Sequence, residues 1–186
     1  MLKRELEILD LPLTDAFIIK PKEFTDDRGT FYKLFNRELL GQRNVSSFFV
    51  EDYISVTKKG TIRALHYQLD PYSQAKLITC IAGEVFDVIV DLRKASKTFG
   101  KWTSVNLSSE NMNSLYVPRG FAHGFIALAD DSALLYQVDN DYSVPHERGI
   151  VWNDPILNIK WPQIGECVVS EKDSKWPSFE KADKFE

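Results

Sequence analysis

At 186 residues the chain is long enough to bury one sizeable core, and its length calls for no second domain, so residues 1–186 are read as a single unit. A hydrophobic content of 44% beside 27% charged residues excludes disorder for most of the chain. The net charge of −4 excludes a non-specific nucleic-acid binder, so an anionic ligand must be met by local basic residues.

Met1 to Leu6 alternates charged and apolar residues without an apolar core or a cleavage site, so no signal peptide is expected, and no run is long enough to span a membrane. Cys80 and Cys167 stand far apart in no metal or redox spacing, which predicts a cytoplasmic protein. An N-terminal arm of about 1–20 carries a predicted short helix near Leu2 to Leu9. A second is predicted at Arg37 to Leu40, with Asn36 as cap and Gly41 as stop.

Short apolar runs broken by turn formers then predict strands at Ile62–Gln68, Lys76–Ala82, Val85–Leu92, Thr103–Leu107, Phe121–Leu128 and Ala133–Val138. This rhythm is that of an all-β sandwich or barrel with a few short helices. Alternation puts Phe86, Val88, Val90 and Leu92 on one face of a half-buried strand, with Asp87, Ile89 and Asp91 on the other. Beyond Trp161-Pro162 the chain turns polar, and a tail of about 174–186 closes it.

Three histidines invite separate reading. His66 shares a predicted strand face with Ile62, Ala64 and Gln68, and is either a hydrogen-bonded core residue or a base that titrates near neutrality. His123, in Pro118-Arg119-Gly120-Phe121-Ala122-His123-Gly124-Phe125, reads as part of a pocket wall where glycines allow close backbone approach. A metal would require a cluster of ligands that the sequence lacks, so neither metal nor other cofactor is expected. His146, beside Glu147 and Arg148, reads as exposed.

Tyr136 points where Leu134 and Val138 point, as a core phenol or as a proton donor facing a pocket. Lys76 opens a strand after a turn, and either guards a strand edge or faces a developing oxyanion. Lys172 and Asp173 sit in what reads as a solvated charge run.

Taken together, Ile62 to Gln68, Gln74 to Leu77, Asp91-Leu92-Arg93, Thr98-Phe99-Gly100, Pro118 to Phe125 and Trp152-Asn153-Asp154-Pro155 resemble the dTDP-4-dehydrorhamnose 3,5-epimerase family. The likeness runs in order from Asp27-Arg28-Gly29 to Glu171-Lys172-Asp173. It implies a homodimeric, metal-free jelly-roll barrel of the cupin class that inverts C3 and C5 of a nucleotide-diphospho 4-keto-6-deoxy sugar. Removing either proton leaves an enolate with its charge on O4. By resemblance His66 is the base, Asp173 its orienting carboxylate, Tyr136 the acid on the opposite face, and Lys76 the enolate stabiliser. Arg28, Arg63 and Lys172 match the diphosphate contacts, His123 a substrate contact, and Tyr142 and Glu147 the nucleotide side.

Strict pleating sets Arg63 opposite His66, so a bulge or twist is expected between them. Departures from the family pattern fall at Glu51 and Tyr53, within Glu51-Asp52-Tyr53-Ile54-Ser55 where relatives usually read Gln-x-Asn-x-Ser, at Lys33 in place of a glutamate, and at Ala64 in place of glycine. These positions help form the recognition pocket in relatives. They leave open a GDP-linked 4-keto-6-deoxy-heptose epimerase, inversion at one centre only, a keto-isomerase, or a silent cupin that binds a sugar nucleotide.

Overall fold

A computed structural model of the chain describes residues 6–43, 45 and 48–186. Fourteen strands and two short helices follow in chain order: β1 (Leu6–Asp10), β2 (Phe17–Pro21), β3 (Glu23–Asp26), β4 (Gly29–Tyr32), α1 (Arg37–Gly41), β5 (Glu51–Thr57), β6 (Thr61–Gln68), β7 (Lys76–Ala82), β8 (Glu84–Asp91), β9 (Trp102–Ser108), β10 (Ser114–Val117), β11 (Phe121–Ala127), β12 (Ser132–Val138), β13 (Glu147–Gly149), β14 (Val168–Val169) and α2 (Glu171–Ser174). All six predicted strands form, each within about one residue of its expected ends, as does the helix at Arg37.

The strands build two antiparallel sheets. One runs β1-β2-β10-β7-β12-β5, the other β13-β6-β11-β8-β9 with β14 added in parallel to β6, and β3-β4 stands apart as a hairpin. Between the sheets lies an apolar core in which Ile78, Leu115 and Leu134 of the first meet Val85, Ile89, Leu107 and Phe125 of the second. Outside the second sheet, Val88, Val90, Leu92 and Ile126 are covered by Ile150, Leu157, Trp161 and Ala182. Outside the first, Phe17, Ile19 and Leu77 pack against Leu40 and Val45.

Because the second sheet is covered on both faces, β8 is buried throughout its second half, and Asp87 and Asp91 are fully enclosed. The expected half-buried strand is thus corrected: its polar face looks into the barrel, not into water. The helix expected near Leu2 to Leu9 is also corrected. Residues 2–5 lie outside the described residues, and Leu6–Asp10 pairs with β2 in register from Leu6↔Pro21 to Asp10↔Phe17. Partners supplied by a distant strand outweigh the weak local preference of a charged, leucine-rich segment.

The predicted phase of β6 fails midway, for a reason that matters to the site. Between His123 and Phe125 β11 advances two residues, while β6 advances three from His66 back to Arg63. The extra residue is a β-bulge that turns Arg63 onto the face of His66, as the resemblance required. Ile62, Ala64, Leu65 and Tyr67 join the outer core, so Ile62 and Ala64 do not share a face with His66. Gly124 makes the bulge possible, because a Cβ there would lie 2.4 Å from Cβ of Ala64.

Candidate active site

A cavity of about 270 Å³ opens between the sheets. The first sheet contributes Tyr53 and Ser55 of β5, Lys76 of β7 and Tyr136 of β12; the second contributes Arg63, His66 and Gln68 of β6, His123 and Phe125 of β11 and Glu147 of β13. Tyr142, in the loop before β13, stands at its mouth with Gln74. Pleating explains the inward pairs Tyr53 and Ser55, His66 and Gln68, and His123 and Phe125, while the bulge in β6 adds Arg63.

His66 is paired with Asp173 at this cavity. His66 Nε2 lies 2.8 Å from Asp173 Oδ1. The aspartate is buried in α2, where its backbone N–H donates to the hydroxyl of the capping Ser170 and its Oδ2 accepts the Ala64 N–H. Burial alone would raise the Asp173 carboxyl, but the bond to His66, the charge of His66, and the Ala64 and Ser170 bonds together hold it below the usual carboxylate range. An ionised carboxylate only accepts, so Nε2 carries a proton, and in the neutral ring the lone pair is the one on Nδ1. Among the described residues Nδ1 has no partner. The indole of Trp176 meets the imidazole edge-on at 6.4 Å between centroids.

Across the cavity, Tyr136 is 5% exposed, and its hydroxyl makes no hydrogen bond among the described residues. Burial, and then the charge of Asp87 and the neighbouring Tyr53, push its phenol well above the ordinary value, so it keeps its proton at neutral pH. Its ring stacks on Tyr53 at 4.8 Å and 12° and meets His123 edge-on at 5.9 Å.

His123 is fixed in turn by Asp87, whose oxygens lie 2.9 and 2.8 Å from Nε2. Burial raises the Asp87 carboxyl, opposed by His123 and Lys76. Lys76 stands near this pair without an ion pair or hydrogen bond among the described residues. Burial lowers its ammonium from an ordinary value of 10.5 to about 8, against the pull of Asp87 and Glu147.

At the mouth, Tyr142 donates to Glu147 Oε2 at 2.8 Å, and Lys172 donates to Oε1 at 2.6 Å. Burial works against both charges of this pair. The Lys172 bond nevertheless holds the Glu147 carboxyl below its usual range, and the Glu147 bond holds Lys172 above its own. Gln68 pins the loop that carries Tyr142, accepting the Ser143 N–H at 2.6 Å and donating to the carbonyls of Tyr72 and Asp141.

Of the residues singled out in the sequence, His66, Tyr136, Lys76, Arg63, His123, Tyr142, Glu147 and Tyr53 line this one cavity, and Asp173 and Lys172 reach it through their partners. Asp173 and Lys172 therefore do not belong to a merely solvated run. Three residues stand elsewhere in the chain. Arg28 is an exposed residue beside the β3–β4 hairpin paired to Asp26 at 2.6 Å, Lys33 follows β4, and Glu51 opens β5 on its exposed side. His146 is half-buried rather than exposed, bonded to Ser143 and packed on Tyr72 outside the cavity lining. Asp87, Gln68 and Gln74 went unselected; an aspartate inside the apolar run Val85–Leu92 was the available signal. Among the described residues no three His, Cys, Asp or Glu side chains gather to hold a metal ion.

A two-sheet jelly roll of the cupin type, with an imidazole–carboxylate pair on one wall and a protonated phenol on the other, defines an isomerase that moves protons on and off carbon. The dTDP-4-dehydrorhamnose 3,5-epimerase family model matches residues 10–181, and the chain belongs to that family. The dTDP-4-dehydrorhamnose 3,5-epimerase of Shigella flexneri is 46% identical over 183 residues, 97% of this chain and 99% of its own. Among solved structures, that of the Elizabethkingia anophelis dTDP-4-dehydrorhamnose 3,5-epimerase superposes with a TM-score of 0.90 at 41% identity, covering 95% of this chain and 98% of the other. A dTDP-6-deoxy-D-glucose-3,5-epimerase from Legionella pneumophila, solved with dTDP-4-keto-L-rhamnose, gives 0.91 at 37% identity over 96% and 95%.

Proposed function

We propose that the chain inverts C3 and C5 of dTDP-4-dehydro-6-deoxyglucose, in the synthesis of a surface-polysaccharide sugar, through an enolate formed on each side of the C4 ketone. The observation that carries this reading is the placement of His66 and Tyr136 on facing sheets. Nδ1 of His66 takes the proton from carbon while Asp173 steadies the imidazolium. Tyr136 returns a proton from the opposite face, and inversion follows because departure and return occur on different sides. Lys76 and His123 stabilise the charge that develops on O4, where fixed donors act strongly in a dry site.

Arg63 and Lys172 supply the positive charge for the diphosphate, and Tyr142 offers a ring to the base. The relatives named above favour a dTDP-linked hexose over a GDP-linked heptose. A homodimer completes the reading. Edge strand β5 leaves Ile54 and Val56 more than half exposed, and the β3–β4 hairpin leaves Phe31 in the same state, apolar side chains that a second copy would cover. Cys80 and Cys167 are free, in keeping with a reducing cytoplasm.

Incubation with dTDP-4-dehydro-6-deoxyglucose in deuterated water, followed by NMR, tests the proposal. Deuterium at both C3 and C5 with inversion at both is expected, and His66→Asn should abolish it. Absence of exchange in the wild-type protein would overturn the reading.

A further inference from the structure

We propose that Tyr53 is a positioning residue that aims the phenol of Tyr136 at the substrate carbon, and thereby sets how often abstraction ends in inversion. The inference rests on the reading of Tyr136 as proton donor given above. A proton donor must hold its hydroxyl along one line to carbon, and a displacement of about 1 Å can cost on the order of a hundredfold in rate. Most buried phenols are aimed by a hydrogen bond. That of Tyr136 makes none among the described residues, so its direction depends on what grips the ring.

It packs into the inter-sheet core, and among the described residues two aromatic side chains lie against it. His123 meets the ring edge-on at 75°, itself fixed by Asp87, and Tyr53 covers a face at 4.8 Å and 12°. The register between β12 and β5 sets Tyr136 directly opposite Tyr53, so the stack follows from backbone pairing, not from a chance rotamer. Because β5 is the edge of its sheet, no further strand pairs beyond Tyr53 among the described residues. Removing its ring opens a gap on that side of Tyr136. Burial, and then Glu51, push the phenol of Tyr53 up to about 12, so at neutral pH it forms a neutral wall and does not compete as a base. The proposed base, His66, lies on the other sheet, and among the described residues its ring meets that of Trp176 and neither tyrosine, which separates this effect from abstraction.

The experiment measures inversion and solvent-deuterium exchange on one sample for wild type, Tyr53→Phe, Tyr53→Leu and Tyr136→Phe, with melting curves. Tyr53→Leu should continue to exchange while its inversion-to-exchange ratio falls on the order of tenfold to a hundredfold. Tyr53→Phe, which keeps the stack, should restore the ratio. A wild-type ratio in Tyr53→Leu, or a parallel fall of both rates, overturns the proposal. So does a low ratio in Tyr53→Phe, which would assign the effect to the Tyr53 hydroxyl. Should Tyr53→Leu melt early, Tyr53→Met fills the same space flexibly and carries the same test. Tyr136→Phe is the separate control: if its ratio is that of wild type, it is the assignment of Tyr136 as donor that fails.

Discussion

Lys76→Met should make the protein more stable at neutral pH while removing its activity. The ammonium sits in the cavity without an ionic partner among the described residues, and burial lowers it from 10.5 to about 8. That difference corresponds to about 3 kcal/mol of unfavourable charge burial as an upper limit. The sign is fixed by proton counting. Between about pH 8 and pH 10.5 the unfolded chain keeps a proton on this lysine that the folded chain has released, so stability rises with pH across that window. Below pH 8 both states are protonated and the full cost is present. Methionine keeps most of the volume and carries no charge. Urea unfolding at pH 7 should therefore favour Lys76→Met by up to about 3 kcal/mol, and the advantage should shrink toward zero as pH approaches 10.5. Inversion should fall about a hundredfold or more, because in the proposed mechanism the charge of Lys76 stabilises the enolate. A variant less stable than wild type at pH 7, or a difference independent of pH, would refute the assignment of an unpaired buried ammonium.

Tyr136→Phe should keep wild-type stability, since no hydrogen bond is lost, while exchange outruns inversion; equal rates would remove Tyr136 as the second-face donor. Asp173→Asn should slow exchange and inversion together, on the order of a hundredfold or more, because the amide neither stabilises the imidazolium nor fixes the tautomer. Exchange within about twofold of wild type would show that Asp173 is structural. Gly124→Ala should cost about 1–3 kcal/mol in denaturant unfolding, because the new Cβ meets that of Ala64 at 2.4 Å between two backbone-anchored atoms. Wild-type stability there would contradict the tight approach at the bulge.

The strands were legible wherever a run was apolar and flanked by turns, as at Lys76–Ala82. Those whose side chains stay largely in solvent were not, as with the hairpin β3–β4 or with β5, whose partner β12 lies far along the chain. Alternation also failed at β6, where one inserted residue reverses every later side chain and nothing local marks the insertion. His66, Tyr136 and Lys76 stood out as candidates by residue type, with alternatives open. Asp173 could be reached only through the resemblance, because a four-residue helix in a charge run carries no periodicity to read. Asp87 was misread because alternation cannot tell a face turned to water from one turned to an enclosed cavity.

The bond between His66 and Asp173 spans 107 positions. Every strand that lines the cavity ends by Gly149, so the carboxylate that bonds the imidazole comes later in the chain than all of the walls. A chain shortened before Ser170 lacks that carboxylate, the Trp176 indole that a Cβ on Gly149 would strike, and the part of the outer core that Ala182 supplies. On the proposed mechanism, turnover therefore requires the last segment to be seated on the second sheet.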